Sequence, residues 1–357
     1  MPSYDARFIP TGIPNAPVRE REHCVAHRNQ ITTIGRNKGQ QVRVKRFDPD
    51  GTESPDFALY TVIDVHDEEP NVVFVRYRDP ESKHHDLKDR LGLSGPDPFT
   101  GKIDSQVTDD SEYVEHLTDN GRHRGLIVIA PHGGNIERHT DEQAERVGEQ
   151  LASKCVSVWV CKGFKKGGGA YDRWHITSID IGVDSFPKLK TVSERNFEYA
   201  VAFHGWDEDS ICIGGSAPPD LKRQIKIEVL DAVAGKIEVF TDDEGKCPEG
   251  FTGTDPKNIV NRLAKNGIQL EQSKDARDKF SLQIADAVAR VIGPKIEVCT
   301  APVFEGSDSW TCLMTGIGDG VQAISRGGVS CIPCQIKRLL FRIRNCRRGN
   351  TDPCIEL

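Results

Sequence analysis

The sequence of 357 residues predicts an α/β protein in which a mixed, mostly parallel sheet is flanked by helices and preceded by a small N-terminal β module. Two observations predict this fold. Between residues 110 and 293, short apolar runs such as residues 126–130 alternate with amphipathic helical stripes, as in layered α/β domains. Residues 42–45 instead alternate apolar and basic side chains, and residues 58–66 and 72–77 supply further strands, which is typical of a half-exposed sheet.

Composition shifts divide the chain into five segments. Residues 1–30 are rich in Pro, Arg and Glu and show no period, and residues 79–109 are polar with a Pro-Gly breaker. Six of the eleven cysteines crowd into the end of the chain, beside a basic stretch. We therefore expect an irregular arm at 1–30, a β module at 31–78, a linker at 79–109, an α/β domain at 110–293 and a Cys-rich basic tail at 294–357.

Charge and hydropathy exclude some classes of protein. The chain has 47 Lys and Arg against 54 Asp and Glu, a net charge of −7 that argues against nucleic acid as a partner of the whole protein. No stretch approaches the roughly 18 uninterrupted apolar residues of a membrane helix, so no membrane partner is expected. Residues 1–7 lack a signal segment, so we expect a cytoplasmic protein that lysis could release, with reduced thiols.

Three polar clusters each follow the end of a predicted strand. They lie at residues 131–137, 204–205 and 269–271. Open α/β sheets bind their ligands at the carboxyl ends of the strands, so we expect these three clusters to meet. A histidine that ends a strand is also common as a hydrogen-bonded terminus, and it is the joint occurrence of the clusters that favours a site.

The residue types in these clusters are those of a zinc site. Two imidazoles and one carboxylate, here His132, His204 and Glu137, form a three-ligand set that leaves the fourth position of Zn²⁺ open for water. The two glycines after His132 allow the sharp turn that would bring Glu137 to the same ion. Glu271 would then be free to act as a general base.

A series of motifs extends this pattern in a fixed order. They are Pro131-His-Gly-Gly-Asn-Ile-Glu137, His175-Ile-Thr-Ser178, Ala202-Phe-His-Gly205, Ile213-Gly-Gly215, Asn258-Ile-Val-Asn-Arg262 and Gly267-Ile-Gln-Leu-Glu-Gln-Ser273, with Arg277. In this order and spacing they resemble the zinc-dependent poly-γ-glutamate hydrolases of phage, whose relatives are often labelled phage-related replication proteins. The resemblance covers residues 110–292.

The resemblance implies both a fold and an activity. It implies a fold similar to that of zinc carboxypeptidases, a metal held by His132, Glu137 and His204, and a catalytic glutamate at Glu271. The activity it implies is endo-type hydrolysis of the γ-linked glutamate polymer that forms bacterial capsules and slime. The expected partner is therefore an acidic polymer or peptide.

An acidic substrate requires cationic or hydrogen-bonding groups beside the metal. Arginine is suited to this role because its planar fork matches a carboxylate at two points. The candidates for substrate binding are Arg262, Arg277, His175, Asn258 and Asn261. Each has a structural alternative: the arginines could be surface charges, the histidine a core residue, and the asparagines helix caps.

Two other functions remain open from the sequence. The same zinc site could serve a peptidase or amidase for another N-acyl or peptide bond. Alternatively, aromatic residues interleaved with basic ones on the β module could stack nucleic-acid bases, although such residues more often form the core of a sheet. The residues concerned are Arg43, Lys45, Arg46, Arg76 and Arg78, beside Tyr60, Phe74 and Tyr77.

Overall fold

The computed structural model describes residues 3–8, 21–47, 53–68, 71–75, 90–95, 98, 101–119, 121 and 123–299. The structural statements below refer to these residues. The Cys-rich tail from residue 300 onward, and the basic residues Arg76 and Arg78, lie outside them.

The N-terminal part of the chain is a small closed β-barrel. Its strands are β1 (Ser3–Phe8), β2 (His23–His27), β3 (Gln41–Phe47), β4 (Glu53–His66), β5 (Val72–Val75) and β6 (Arg90–Ser94), with one helix, α1 (Arg28–Thr33). The strand order is β1-β5-β2-β4-β3-β6, and β6 closes the barrel by pairing antiparallel with β1. The predicted β module is thus present, with a core that includes Val42, Val62 and Val73.

The boundaries predicted for this module were wrong. The expected irregular arm at 1–30 contains β1 and β2, and the expected linker at 79–109 contains β6 and the first helix of the next domain. Closing a barrel requires every strand edge to be paired. Short segments can therefore form strands by pairing with their neighbours, even where their own sequence shows no clear alternation of apolar and polar residues. The strands of the barrel therefore lie between residues 3 and 94, a range about twice as long as the module predicted at 31–78.

The second part of the chain is the predicted α/β domain. Its helices are α2 (Asp104–Asp110), α3 (Thr140–Gln150), α4 (Ala170–Trp174), α5 (Pro187–Lys190), α6 (Pro219–Ala232), α7 (Ile259–Leu263) and α8 (Lys274–Ile292). Its strands are β7 (Tyr113–Asp119), β8 (Leu126–Gly134), β9 (Val156–Gly163), β10 (Phe197–Gly205), β11 (Ser210–Gly214), β12 (Glu238–Thr241) and β13 (Ala264–Gln272).

These strands form one mixed sheet in the order β12-β11-β13-β10-β8-β9-β7. Four of its six described pairings are parallel, and the two antiparallel ones join β11 to β13 and β7 to β9. Both faces are covered: Val128 packs with residues of α3, α6 and α8, whereas Ile127 and Ile129 pack with Trp159 and Phe186 on the other side. Burial on both faces explains why β8 reads as an unbroken apolar run.

The barrel and the α/β domain form one compact unit. Leu59 of β4 belongs to the same apolar cluster as Trp159 and Phe186 of the α/β domain. Arg43 of β3 pairs with Glu112 at 2.7 Å, and its guanidinium lies over the ring of Phe57. Arg43 was expected on a nucleic-acid-binding face, but it is buried against the second domain, as Tyr60 is buried in the barrel core.

Four of the cysteines expected to be reduced form disulfides. Cys155 is bonded to Cys299, and Cys212 to Cys247. The expectation of free thiols was wrong for these four because pairing depends on spatial neighbours, which a count of cysteines does not reveal. No helix within the described part of the chain has the length and apolarity needed to cross a membrane.

A buried carboxylate of β7 stabilises the apolar side of the sheet. Both oxygens of Glu115 accept hydrogen bonds: Trp159 Nε1 donates at 2.8 Å, and the backbone N–H groups of Leu189 and Lys188 donate at 2.7 and 3.0 Å. Glu115 is fully buried, and its hydrogen bonds with Trp159 and Leu189 are buried as well. The carboxylate therefore holds α5 against the sheet.

We predict that Glu115→Ala lowers the free energy of unfolding by about 3 kcal/mol or more, because it leaves three buried donors unpaired. Urea denaturation of the full chain measures this value. The matched control is Glu149→Ala, whose side chain is 71% exposed, and which should change stability by no more than about 0.5 kcal/mol. Equal losses in the two variants would contradict the role given to Glu115.

Candidate metal and catalytic site

The three predicted polar clusters meet at one edge of the sheet. They lie at the carboxyl ends of β8, β10 and β13, which are neighbours in the sheet and run parallel. His204 and Glu271 are register partners on β10 and β13. Their side chains therefore leave the sheet on the same face, at the carboxyl ends of the strands.

Two imidazole nitrogens and the two carboxylate oxygens of Glu137 face one another across a small gap. His132 Nδ1 lies 3.1 Å from Glu137 Oε1 and 3.2 Å from His204 Nδ1, and His204 Nδ1 lies 3.6 Å from Glu137 Oε2. Ligands about 2.1 Å from a tetrahedral ion lie about 3.3 Å from one another. The donor set is thus spaced to hold one small cation, and the exposed fractions of the three residues are 2%, 5% and 2%.

The backbone after β8 brings Glu137 to this gap. The pairing of β8 with β9 is irregular between Ala130 and Gly133, and Gly134 has a φ of 68°. A side chain at Gly134 would also meet the carbonyl oxygen of Gly163 at 2.9 Å. The local turn therefore needs glycine at this position, for both the backbone angle and the close approach.

Further polar contacts orient each of these side chains. His132 Nε2 donates to the carbonyl of Ile176 at 2.8 Å, which leaves Nδ1 to face the gap. Ser178 Oγ lies 3.4 Å from His204 Nε2, and the backbone N–H of Gly205 donates to Glu137 Oε2 at 2.9 Å. Such outer contacts set the tautomer and ring orientation of metal-binding histidines.

The ionisation of the cluster suits a cation ligand set. Burial lowers the pKa of His132, which favours the neutral imidazole that can bind a metal. Burial alone would raise the pKa of Glu137, but the charge and hydrogen bond of His132, with hydrogen bonds from His175 and His204, hold it well below its usual range. The site thus contains a carboxylate whose ionised form is favoured, beside the buried imidazole of His132.

Glu271 lies beside the donor set, and its pKa is shifted in the opposite direction to that of Glu137. Burial, with the nearby charge of Glu137, raises the pKa of Glu271 well above its usual value. Gln269 Nε2 donates to Glu271 Oε1 at 2.7 Å, and Asn258 Nδ2 donates to Gln269 Oε1 at the same distance. Asn258 is thus placed behind Glu271 and orients it through Gln269, while its own Oδ1 caps α7.

Arg277, at the start of α8, is the cation placed beside these carboxylates. Its Nε and Nη1 donate to the carbonyls of Gln272 and Arg138 at 3.3 and 2.9 Å. No hydrogen bond from its Nη2 group to a described residue is found. Burial lowers the pKa of Arg277, and the charges of Glu137 and Glu271 oppose that effect. The guanidinium is therefore anchored to two backbone carbonyls and packs beside Gly205.

His175, predicted as a substrate contact, lies at the edge of the donor set. Its Nε2 is 3.5 Å from Glu137 Oε1, and its ring centroid is 4.2 Å from that of His132. Donor atoms of His132, Glu137 and His175 also fall within 4.8 Å of one another. Two histidines thus border the His132–Glu137 pair: His204 Nδ1 lies 3.2 Å from His132 Nδ1 and 3.6 Å from Glu137 Oε2, and His175 Nε2 lies 3.5 Å from Glu137 Oε1, with its other ring nitrogen bound to Glu22.

The structure does not bring Arg262 and Asn261 beside the donor set. Asn261 Oδ1 accepts from Ser216 N, and its Nδ2 donates to the carbonyls of Gly253 and Asp255. It contacts β13 near Gly267, four residues or about 13 Å along the strand from Glu271. Arg262 Nη1 donates to the carbonyl of Ile181. Both side chains hold loops in this structure, which is the structural alternative left open by the sequence.

Sequence reasoning missed three residues that contact the site. Ser178 and Gln269 lie inside motifs that were recognised, so their proximity to the site was available from position alone. Glu22 had no such signal: it approaches His175 from 153 residues away and from the barrel. Its contact depends on how the two parts of the chain pack.

Residues 102–289 match the model of the protein family described as poly-gamma-glutamate hydrolase. The chain belongs to this family. It is also 28% identical over 156 residues to the SPbeta prophage-derived UPF0714 protein YoqZ of Bacillus subtilis (strain 168), covering 43% of this chain and 51% of that protein. The chain spans about half the length of the curated relatives it matches.

Solved structures with the same kind of fold include a bacteriophage poly-gamma-glutamate hydrolase, at 24% identity and a TM-score of 0.39, covering 57% of this chain and 98% of that one. A metallo-carboxypeptidase from Burkholderia cenocepacia aligns at 9% identity and a TM-score of 0.34, covering 59% of this chain and 76% of that one. The predicted mixed, mostly parallel sheet flanked by helices is confirmed by the strand order and pairings of the structure.

We predict that Gly205→Ala displaces Arg277, because a Cβ at this position would lie 2.4 Å from the guanidinium carbon. The displaced side chain would lose its two backbone acceptors, at a cost of about 1–3 kcal/mol in the free energy of unfolding. Thermal or urea unfolding measures the loss. Gly101→Ala is the control, since a Cβ there meets no atom within 4 Å. An unchanged stability in the Gly205 variant would show that Arg277 is not held as described.

Proposed function

We propose that this protein is a zinc-dependent amide hydrolase that cleaves poly-γ-glutamate or a related γ-glutamyl or acidic peptide polymer. One observation supports this above all: the Nδ1 atoms of His132 and His204 lie within 3.6 Å of each other and of a carboxylate oxygen of Glu137, beside the buried carboxylate of Glu271. Family membership supports the choice of polymer. Burial of the whole cluster strengthens every electrostatic interaction within it.

The donor set fits zinc by number, type and spacing. Two imidazoles and one carboxylate leave one position open, as in catalytic zinc sites, and a harder ion such as Mg²⁺ would favour oxygen ligands. When bound, zinc would supply Lewis acidity to the scissile carbonyl and lower the pKa of a water molecule to about 7. His132, Glu137 and His204 would hold it through Nδ1, a carboxylate oxygen and Nδ1.

Glu271 would carry the proton in this reaction. A carboxylate beside the attacking water takes its proton and then delivers it to the leaving amine nitrogen. Burial raises the pKa of Glu271. This shift would bring the pKa of the carboxyl group closer to that of the attacking water and the leaving amine, with which it would exchange a proton. Gln269 would keep one carboxylate oxygen fixed, so that the other faces the reacting atoms.

Arg277 and His175 would recognise the acidic substrate. Arg277 lies within electrostatic reach of Glu137 and Glu271, and its guanidinium would attract a substrate carboxylate or the developing oxyanion. His175 borders the same space through Nε2. The polymer carries many carboxylates and the protein a net charge of −7, so these local cations would have to overcome a long-range repulsion.

We predict that the full-length protein binds one zinc ion per chain, and that His132→Ala and His204→Ala each weaken this binding at least about a hundredfold because each removes a ligand from a three-ligand site. Isothermal titration calorimetry of metal-free protein measures the affinity. The control is His116→Ala, whose imidazole contacts Asp104 away from the site. Tight binding in both ligand variants would refute the assigned site.

We also predict that Glu271→Gln lowers kcat on poly-γ-glutamate by about 10²–10⁴-fold while zinc binding persists, because the amide cannot accept the proton of the attacking water. Chain cleavage is followed by size-exclusion chromatography of γ-linked and α-linked polyglutamate in parallel. Full activity of the variant would exclude the mechanism. Cleavage of only the α-linked polymer by the unmodified protein would instead favour the zinc peptidase alternative.

A further inference from the structure

The barrel contributes a carboxylate to the surroundings of the candidate site. Glu22 lies just before β2, outside the residues 102–289 that match the family. Its side chain is 15% exposed and contacts His175, whose side chain is 12% exposed. An acidic residue that is so largely buried at a domain contact requires donors on both of its oxygens.

Glu22 has those two donors, and both lie in one short segment. One oxygen accepts a hydrogen bond from His175 Nδ1, and the other accepts from the backbone N–H of Thr177 at 2.6 Å. Between these two residues, the carbonyl of Ile176 accepts the hydrogen bond of His132. The carboxylate of Glu22 therefore clamps the segment that orients a ligand of the donor set.

The barrel fixes the position of Glu22 itself. The backbone N–H of Thr61 on β4 donates to the carbonyl of Glu22 at 2.7 Å, and the next residue, His23, contacts Asp180 through Nε2 at 2.7 Å. Gln41 adds a second link, because its Nε2 donates to Asp180 O and its Oε1 accepts from Gly182 N. Glu22 is thus held by barrel main chain on one side and by the second domain on the other.

The ring of His175 has one orientation in this setting. Tyr171 stacks on it with centroids 4.3 Å apart and planes inclined by 21°. With Nδ1 bound to Glu22, Nε2 is turned toward Glu137, at 3.5 Å from Oε1. Because the two ring nitrogens diverge, Glu22 lies on the side of the imidazole away from the donor set. This position argues against Glu22 as a plug that occupies the substrate space.

We propose that Glu22 is a positioning residue of the active site, which fixes His175 so that its Nε2–H is presented to a carboxylate or carbonyl of the substrate. The barrel is then a part of the hydrolase site and not an independent binding module. The substrate role of His175 rests on the proposed function, whereas the Glu22–His175 hydrogen bond does not. A carboxylate is required because a glutamine at this position has only one acceptor oxygen for two donors.

The hydrogen bond can be tested without any substrate. We expect the imidazole ¹⁵N–¹H spectrum of metal-free and zinc-loaded protein to show a downfield Nδ1 proton for His175, assigned by its loss in His175→Gln. Glu22→Gln and Glu22→Ala should remove or shift this signal, and Gln41→Ala, which cuts another contact of the same interface, should leave it in place. An unchanged signal in both Glu22 variants overturns the proposal.

Activity of the full chain tests the positioning role. Glu22→Gln should lower kcat/KM on poly-γ-glutamate by about 10–100-fold, mainly through KM, as expected for loss of a group that orients a substrate contact. In a His175→Gln background the same change should cost less than about twofold, because the imidazole through which Glu22 acts is absent. An equal loss in both backgrounds, or higher activity in the Glu22 variant, overturns the proposal.

Two results separate this inference from the proposed function. If the unmodified protein does not cleave γ-linked polymer, the proposed function fails, and the His175 signal alone decides whether Glu22 positions the ring. If Glu22→Gln does not fold, as judged by circular dichroism, Glu22→Asp decides instead. The shorter side chain cannot bridge both donors, so an unshifted signal in a folded Glu22→Asp protein contradicts the assignment.

Discussion

The hydrogen bond from His132 Nε2 to the carbonyl of Ile176 is the contact on which the site depends. It fixes the tautomer and rotation of the imidazole, so Nδ1 faces Glu137 at 3.1 Å and His204 at 3.2 Å. The carbonyl belongs to a loop and not to the sheet. The sheet therefore positions His132 and His204, and the loop after α4 contacts one ring nitrogen of each.

The same loop links the two domains. Residues 175–186 follow α4 and precede α5, and they include contacts to His132, to His204, and to the barrel residues Glu22 and Gln41. Most of these contacts are to backbone groups, which cannot move independently of the chain. A displacement of the barrel would thus be transmitted to ligand geometry, where errors of a few tenths of an ångström matter for a metal site.

The electrostatics of the site follow from burial. Glu137 and Glu271 are both nearly inaccessible to water, yet their pKa values shift in opposite directions. Three imidazoles surround the first, whereas an amide and the charge of Glu137 are near the second. Environments that separate the pKa values of two neighbouring carboxyl groups are typical of sites where one group holds charge and the other exchanges a proton.

The sequence predicted the parts of this arrangement that depend on local pattern. Continuous apolar runs identified β8 and β10. The polar residues at the ends of β8, β10 and β13 identified His132, Glu137, His204 and Glu271 as candidates. It did not predict β1 and β6, whose pairing is imposed by closure of the barrel, nor the partners of the disulfide-bonded cysteines. The alternation of apolar and basic residues in β3 predicted that Arg43 points out of the barrel. Only the packing shows that the second domain covers that side of the strand.

The contact of Glu22 with His175 also depends on how distant parts of the chain pack. The α/β domain alone therefore does not include every residue that surrounds the site. Motifs identify residues that a family shares within residues 102–289, whereas Glu22 precedes that range. Its position depends on the apolar contact of Leu59 with the α/β core and on the Arg43–Glu112 pair, which dock the barrel. Because that interface is buried and paired, the barrel has a defined orientation, and a single carboxylate can act across it.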